Sequence, residues 1–277
     1  MIKTLIYINA DLASSIALRY TCQLANLTGM LLQTMHVVEP DLEGHSPGTG
    51  WVRRTWEKGL LETAQAEISR LINAEGAACP PLAPPKMSIG VREDELLREL
   101  EEGSYDLFVE GLLHSYDPSY FYRKLRSRLF REIPSSILLV KNLVNLRSAV
   151  LLLEDDLTLR PISSFLKIID GAEMDIDLLH CRFQRRGRLR FEGNGESKAP
   201  SRPGELDDIL SSAEEMLAGE GKAVRERLVA QDTPAKISEY LEDYSLVVSF
   251  LPRQKAFKGP LTDLLARIPS AILLCRQ

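Results

Sequence analysis

The chain has 277 residues, about twice the usual domain size, so two domains are the default expectation. A hydrophobic share of 44%, a charged share of 26% and a net charge of −5 describe an ordinary folded chain and argue against a general nucleic-acid binder, which carries a basic footprint. No apolar run approaches the roughly 20 residues that span a bilayer. The apolar start at 1–8 is too short for a signal peptide and lacks a small-residue cleavage site, so it reads as a first strand.

That first strand, 3–9, is rich in Ile and Leu, as suits burial on both faces, and Asp11 follows it. Residues 14–28 place Ile16, Tyr20, Leu24 and Leu27 at helical spacing, with Asp11 or Ser14 as N-cap and Gly29 as the stop. A second strand is expected at 31–38, then a loop with Gly and Pro at 39–50. Residues 51–74 predict a long amphipathic helix with Trp56, Leu60, Ala64, Ile68 and Leu71 inward and Trp56 as a core anchor. A Pro-rich connector at 79–85 leads to a strand at 86–91, a helix at 93–102 and a strand at 105–110. One helix at 117–131, with Phe121, Leu125 and Leu129 inward, and a fifth strand at 136–140 complete the set. Strands alternating with helices predict βαβ units and a parallel sheet.

After a linker at 142–147 the pattern restarts. Ala149-Val150-Leu151-Leu152-Leu153 corresponds to Thr4 to Ile8, and Asp156 falls where Asp11 fell. Ile176-Asp177-Leu178-Leu179-His180 matches Leu32-Gln33-Thr34-Met35-His36, and Tyr244-Ser245-Leu246-Val247-Val248 matches Tyr105-Asp106-Leu107-Phe108-Val109. A helix at 206–217, a strand at 223–229 and a helix at 235–241 fill the intervals. The chain closes on Ile268-Pro269-Ser270-Ala271-Ile272-Leu273-Leu274-Cys275-Arg276, nearly repeating Ile133-Pro134-Ser135-Ser136-Ile137-Leu138-Leu139-Val140-Lys141. The copies lie about half a chain apart, which predicts a duplicated domain, 1–142 and 147–277. The main departure is 182–204, which carries Arg185, Arg186, Arg188 and Arg190. There Phe183, Leu189 and Phe191 suit a small hairpin around Arg186-Gly187, and 192–204 reads as a mobile loop.

Little in the chain carries chemistry. There is no Walker A loop, no HExxH and no CxxC, and neither covalent nor hydrolytic catalysis is expected. Cys22, Cys181 and Cys275 sit in apolar patterns and read as buried thiols, which with Cys79 unpaired points to a reducing cytoplasm. Asp11 and Asp156 suit either a nucleotide site or a helix N-cap, the cap being the simpler reading. Glu154-Asp155-Asp156 offers carboxylates to a cation, but neighbours on a strand face opposite ways, so no metal site is expected. His36 and His180 read as packed, hydrogen-bonded histidines. Arg123, Lys124, Arg126, Arg128 and Arg131, near Tyr116, Tyr120 and Tyr122, form either an anion-binding face or a solvated one, with cations toward the helix C-terminus.

The ordered set of strand, Asp11, helix, a strand ending in His36-Val37-Val38, long helix, a strand ending at Gly111, then helix, Ile-Pro and strand resembles the universal stress protein family. The resemblance covers essentially the whole chain, twice, and implies an α/β fold of two tandem five-stranded parallel sheets, adenine-nucleotide α-hydrolase-like and Rossmann-like. In nucleotide-binding members the last βα loop has Gly-x-x-Gly, nine residues, then Gly-Ser or Gly-Thr; glycines admit the phosphates to the backbone and the next helix N-terminus. The first repeat keeps Asp11, Val38 and Gly111, has His114 for the second glycine, and places Arg123 and Lys124 at the Gly-Ser positions. The second keeps Asp156, has Ser249 and Pro252 at the first two glycine positions and retains only Gly259 near the third.

The resemblance therefore implies a non-enzymatic cytoplasmic stress-response regulator acting through an unidentified small-molecule or protein partner, with the ATP loop degraded in both repeats. The alternative it leaves open is ATP or another adenine nucleotide bound in the first repeat, with slow hydrolysis or phosphotransfer. In that family the strand after Ile-Pro commonly pairs with its copy across a dimer. Here the strands after Pro134 and Pro269 are expected to pair within one chain, as a pseudo-dimer that covers both edges and leaves a further homodimer open.

Overall fold

The computed structural model describes residues 1–40, 49–76, 79–113, 118–153, 160–183, 203–250 and 259–276. Expectations for His114, Asp156, the Glu154–Asp156 carboxylates, Pro252 and the hairpin around Arg186 lie outside these residues.

In the first half, β1 (Lys3–Tyr7), β2 (Leu31–Val38), β3 (Lys86–Ile89), β4 (Leu107–Gly111) and β5 (Ser136–Val140) alternate with helices. Every pairing among them is parallel, in the order β3-β2-β1-β4-β5. The helix α1 (Leu12–Thr28) starts at Asp11, whose carboxylate accepts from Ser14 N–H at 2.8 Å. It stops at Gly29, whose φ of 68° is the left-handed conformation that favours a residue without a Cβ. The helices α2 (Trp51–Glu75) and α3 (Arg92–Gly103) follow.

The single helix expected over 117–131 is two, α4 (Pro118–Leu125) and α5 (Arg128–Glu132). Ser127 adopts an extended backbone there (φ −62°, ψ 159°) and caps α5 by accepting from Phe130 N–H. A local side-chain cap thus competes with helix continuation, as serine tends to do.

The second half repeats the topology. It contains β6 (Ser148–Leu153), α6 (Arg160–Ile168), β7 (Asp175–Phe183), α7 (Pro203–Gly219), β8 (Val224–Asp232), α8 (Pro234–Tyr240), β9 (Leu246–Phe250), α9 (Pro260–Arg267) and β10 (Ala271–Cys275). The order β10-β9-β6-β7-β8 is again parallel throughout. The strands of the two Ile-Pro segments, β5 and β10, pair antiparallel, with Leu138 opposite Leu273, and this joins the halves into one ten-stranded sheet.

Side chains alternate along these seam strands, so each face of the sheet has its own core. Leu138, Val140, Leu273 and Cys275 enter one with α1, α6 and α7. Ile137, Leu139, Ile272 and Leu274 enter the other with α3, α4, α5, α8 and α9. Both cores run through the seam. The outer edges are blunted differently: β3 has four residues, and β8 exposes Arg225, Glu226 and Arg227.

Two expectations about the helices change. Trp56 is only half-buried, because α2 lies over the outer strands and buries Ile68 alone among its 25 residues. Cys22 is no thiol: Cys22 of α1 and Cys79, beyond the end of α2, form a disulfide with Cα atoms 4.7 Å apart, so the cysteines no longer argue for a reducing compartment. Cys181 and Cys275 are buried thiols as expected. Among the described residues no helix is long and apolar enough to cross a membrane.

Candidate functional site

Strand order reverses between β1 and β4, and in open parallel sheets the crevice beyond the carboxyl ends at such a point is where ligands bind. A cleft of about 350 Å³ opens there, walled by the ends of β1 and β4, the first turn of α1, Arg92 and Lys124.

Glu110 forms its floor. It is the last charged residue of an otherwise apolar strand and is buried. Arg92, at the start of α3, donates to its Oε1, and Lys124 Nζ lies 2.6 Å from the same oxygen. The Lys124 and Glu110 side chains are both only 9% exposed. Burial pulls the Lys124 ammonium below the usual lysine range, against the pull of Glu110. Arg92 is half-buried, and Glu110, Tyr7 and Glu39 outweigh its desolvation and raise its pKa. Its guanidinium stacks over the Tyr7 ring at 4.4 Å, and its backbone N–H donates to Glu39 at 3.1 Å. Burial in turn raises the Tyr7 phenol, whose hydroxyl donates to Asn9 at 3.1 Å. The second carboxylate oxygen of Glu110 is buried and finds no partner among the described residues.

The structure brings together three of the expected residues. Asp11, Gly111 and Lys124 line the cleft. Asp11 is occupied in capping α1. Gly111 is required by packing: a Cβ would lie 2.1 Å from the Ala13 carbonyl oxygen, so only glycine lets β4 approach α1 so closely. Lys124 turns inward, while its neighbour Arg123 is exposed and reaches the Tyr120 ring instead, at 5.9 Å. Val38 does not line the cleft; its carbonyl accepts from Gly90 N–H. Arg92, Glu110 and Tyr7 were not foreseen. Of the basic helix face, Arg128 is spent on Asp94 and Glu132 at the surface. His36 is hydrogen-bonded to the Ile8 carbonyl at 2.8 Å, and His180 is buried, as expected of packed histidines.

The second half differs where it is described. Leu152 stands where Tyr7 stands, Ser249 where Glu110 stands and Phe250 where Gly111 stands, all buried, so the strand register puts Phe250 and not Ser249 at the first glycine position. The Ser249 hydroxyl is fully buried and finds no partner among the described residues. Gly259 is the N-cap of α9, with an extended backbone that any residue adopts. No comparable set of charged groups lies there among the described residues. Among the described residues no group of acidic, His and Cys side chains has the arrangement of a metal site.

No protein-family model matches this sequence, and no curated protein matches it. Solved structures do. A universal stress protein from Archaeoglobus fulgidus is similar over 99% of this chain and 96% of its own, at 14% identity and a TM-score of 0.63. The fold is that of the universal stress proteins, in tandem. A protein from Pseudomonas aeruginosa UCBPP-PA14 described as a universal stress protein is similar over 99% of this chain and 92% of its own, at 12% identity and a TM-score of 0.58. A functionally unknown protein from Pseudomonas aeruginosa PAO1 matches over the same shares, at 11% identity and the same TM-score. In this universal stress protein fold the first-half cleft occupies the topological switch point.

Proposed function

We propose that this chain is a non-enzymatic, cytoplasmic stress-response regulator of the universal stress protein type, built as a pseudo-dimer of units 1–142 and 147–277. It acts by holding a small molecule in the first-half cleft, and the polyphosphate loop is degraded in both halves. One observation carries the reading: both cations of the cleft, Arg92 and Lys124, are spent on Glu110. Among the described lining residues these two cations face three carboxylates, Asp11, Glu39 and Glu110. A triphosphate would bring several negative charges to a site with no net positive charge to receive them, and repulsion between like charges in a low dielectric is costly. Phosphate sites also want free backbone N–H groups, and here Asp11 already accepts from Ser14 N–H at the helix start.

A better fit is a compact ligand with at most one negative charge and a donor group to satisfy the unpartnered Glu110 oxygen. Such a donor removes the cost of a buried acceptor that otherwise has none. Mass spectrometry of the protein purified under native conditions tests this directly. The expected result is a bound small molecule without a polyphosphate, absent from Glu110→Ala. Stoichiometric ATP or ADP in the purified protein would support the alternative of a nucleotide-handling first half.

A further inference from the structure

We propose that Cys22 and Cys79 form a thiol–disulfide exchange site, a covalent latch that low-molecular-weight thiols of the glutathione class open and their disulfides close. The inference is independent of the cleft and of any ligand in it.

The latch lies along one stripe of α1. Ser15, Arg19 and Cys22 follow one another at spacings of four and three, so they share a helix face. The end of α2 lies on that stripe. Ser15 Oγ donates to Glu75 Oε1 at 2.5 Å, Arg19 Nε donates to Glu75 Oε2, and Cys22 is bonded to Cys79. The Cys79 N–H donates to the Gly76 carbonyl at 3.0 Å, so Cys79 belongs to the turn that ends α2 and moves with it. Beyond these contacts α2 is lightly held: Ile68 is its one buried residue, with Leu71 and Ile72 packed against the same core from its last turns. The disulfide also closes the chain from α1 through β2 and α2 to the connector before β3, a span of 57 residues.

The two cysteines differ in exposure. Cys22 is 1% exposed, in the core, whereas Cys79 is half-buried at the surface. An incoming thiolate therefore attacks Cys79 Sγ. The S–S bond breaks, the new bond joins Cys79 to the small thiol, and Cys22 leaves with the electron pair and takes up a proton. A second small thiolate attacks the mixed disulfide and releases Cys79. The sum is protein disulfide plus two small thiols giving two protein thiols plus one small disulfide, and closure is the reverse. In a reducing compartment a disulfide is a transient or sensing element far more often than a permanent one. A half-buried cysteine just beyond a helix end matches that behaviour; a disulfide with both cysteines sealed in the core would not.

The test uses the intact chain, equilibrated in mixtures of reduced and oxidised glutathione, alkylated and mass-analysed, with hydrogen exchange measured on the two end states. The expected result is that Cys22 and Cys79 titrate together and reversibly within cytosol-like ratios. Opening then speeds amide exchange in residues 51–85 by roughly tenfold or more, with β1 and β4 unchanged. Cys79→Ser, fixed in the open state, should exchange like the reduced wild type; if that variant fails to fold, the reduced wild type alone decides. A bond left intact by millimolar reduced glutathione, or equal protection of residues 51–85 in both states, would overturn the proposal.

Discussion

Glu110 is the residue on which the cleft depends. Its buried carboxylate holds two cations, so removing it leaves Lys124 desolvated and unpaired. Breaking a buried pair by deleting one partner costs about 3–5 kcal/mol. Glu110→Ala should lower unfolding free energy by that order in denaturant titration, and pairing it with Lys124→Met should recover part of the loss; an unchanged midpoint would mean the cluster is not buried in solution. Lys141 is the other buried lysine, and its Nζ donates to the carbonyls of Leu265 and Ile268 at 2.7 and 2.8 Å, at the end of α9. It also sits 5.0 Å from the Phe121 ring centre. Burial pulls it from 10.5 down to about 7. Between those two values the unfolded chain binds a proton that the folded chain does not, so stability rises with pH across that window. Below about 7 both states are charged and the burial penalty is present in full. Lys141→Met should flatten the rise in melting temperature between pH 7 and 10; an identical slope would show that Lys141 stays protonated through its carbonyl contacts. Asp11, Gly111 and Lys124 were legible one by one, because each sits at a fixed distance from a strand end or from Ile133-Pro134. Arg92, Tyr7 and Glu110 were not, because they come from three elements that only the sheet order brings together. Glu110 did leave a signal: it is a lone charge at the end of an apolar strand.

At the scale of elements, the strands and most helices could be read from hydrophobic period and from the repeat itself. What escaped the reading was set by local competition or by distance. The break at Ser127 is a capping event within a pattern that still looks helical. The Cys22–Cys79 bond joins residues 57 apart, and no spacing in the sequence announces it. The exposure of Trp56 follows from where α2 lies on the sheet, not from its periodicity. The start of α1 can be assigned by substitution. If Asp11 is there as a cap, Asp11→Ala should cost about 1 kcal/mol while Asp11→Asn, an equally good cap, should be near neutral. Urea titration of the two variants reads the difference. Equal losses would mean that the charge of Asp11, and not its capping bond, is what the fold uses.

For the whole molecule, the seam explains the duplication in physical terms. β5 and β10 are buried at every position, and each would be an open apolar edge without the other. Contacts on both faces reinforce the seam: Tyr20 of α1 donates to the Ser245 carbonyl at 2.9 Å, Lys167 of α6 meets Asp106 at 2.6 Å, and Lys141 reaches α9. The halves thus share two cores while their switch points diverge, one polar and one apolar among the described residues. That asymmetry is the ground for proposing a ligand in the first half, with the second half completing the sheet. The claim that the first-half cleft has lost the polyphosphate function is tested most directly by calorimetric titration of the purified chain with magnesium ATP. No saturable heat is expected up to millimolar nucleotide. One-to-one binding at micromolar strength, abolished by Lys124→Met, would contradict it.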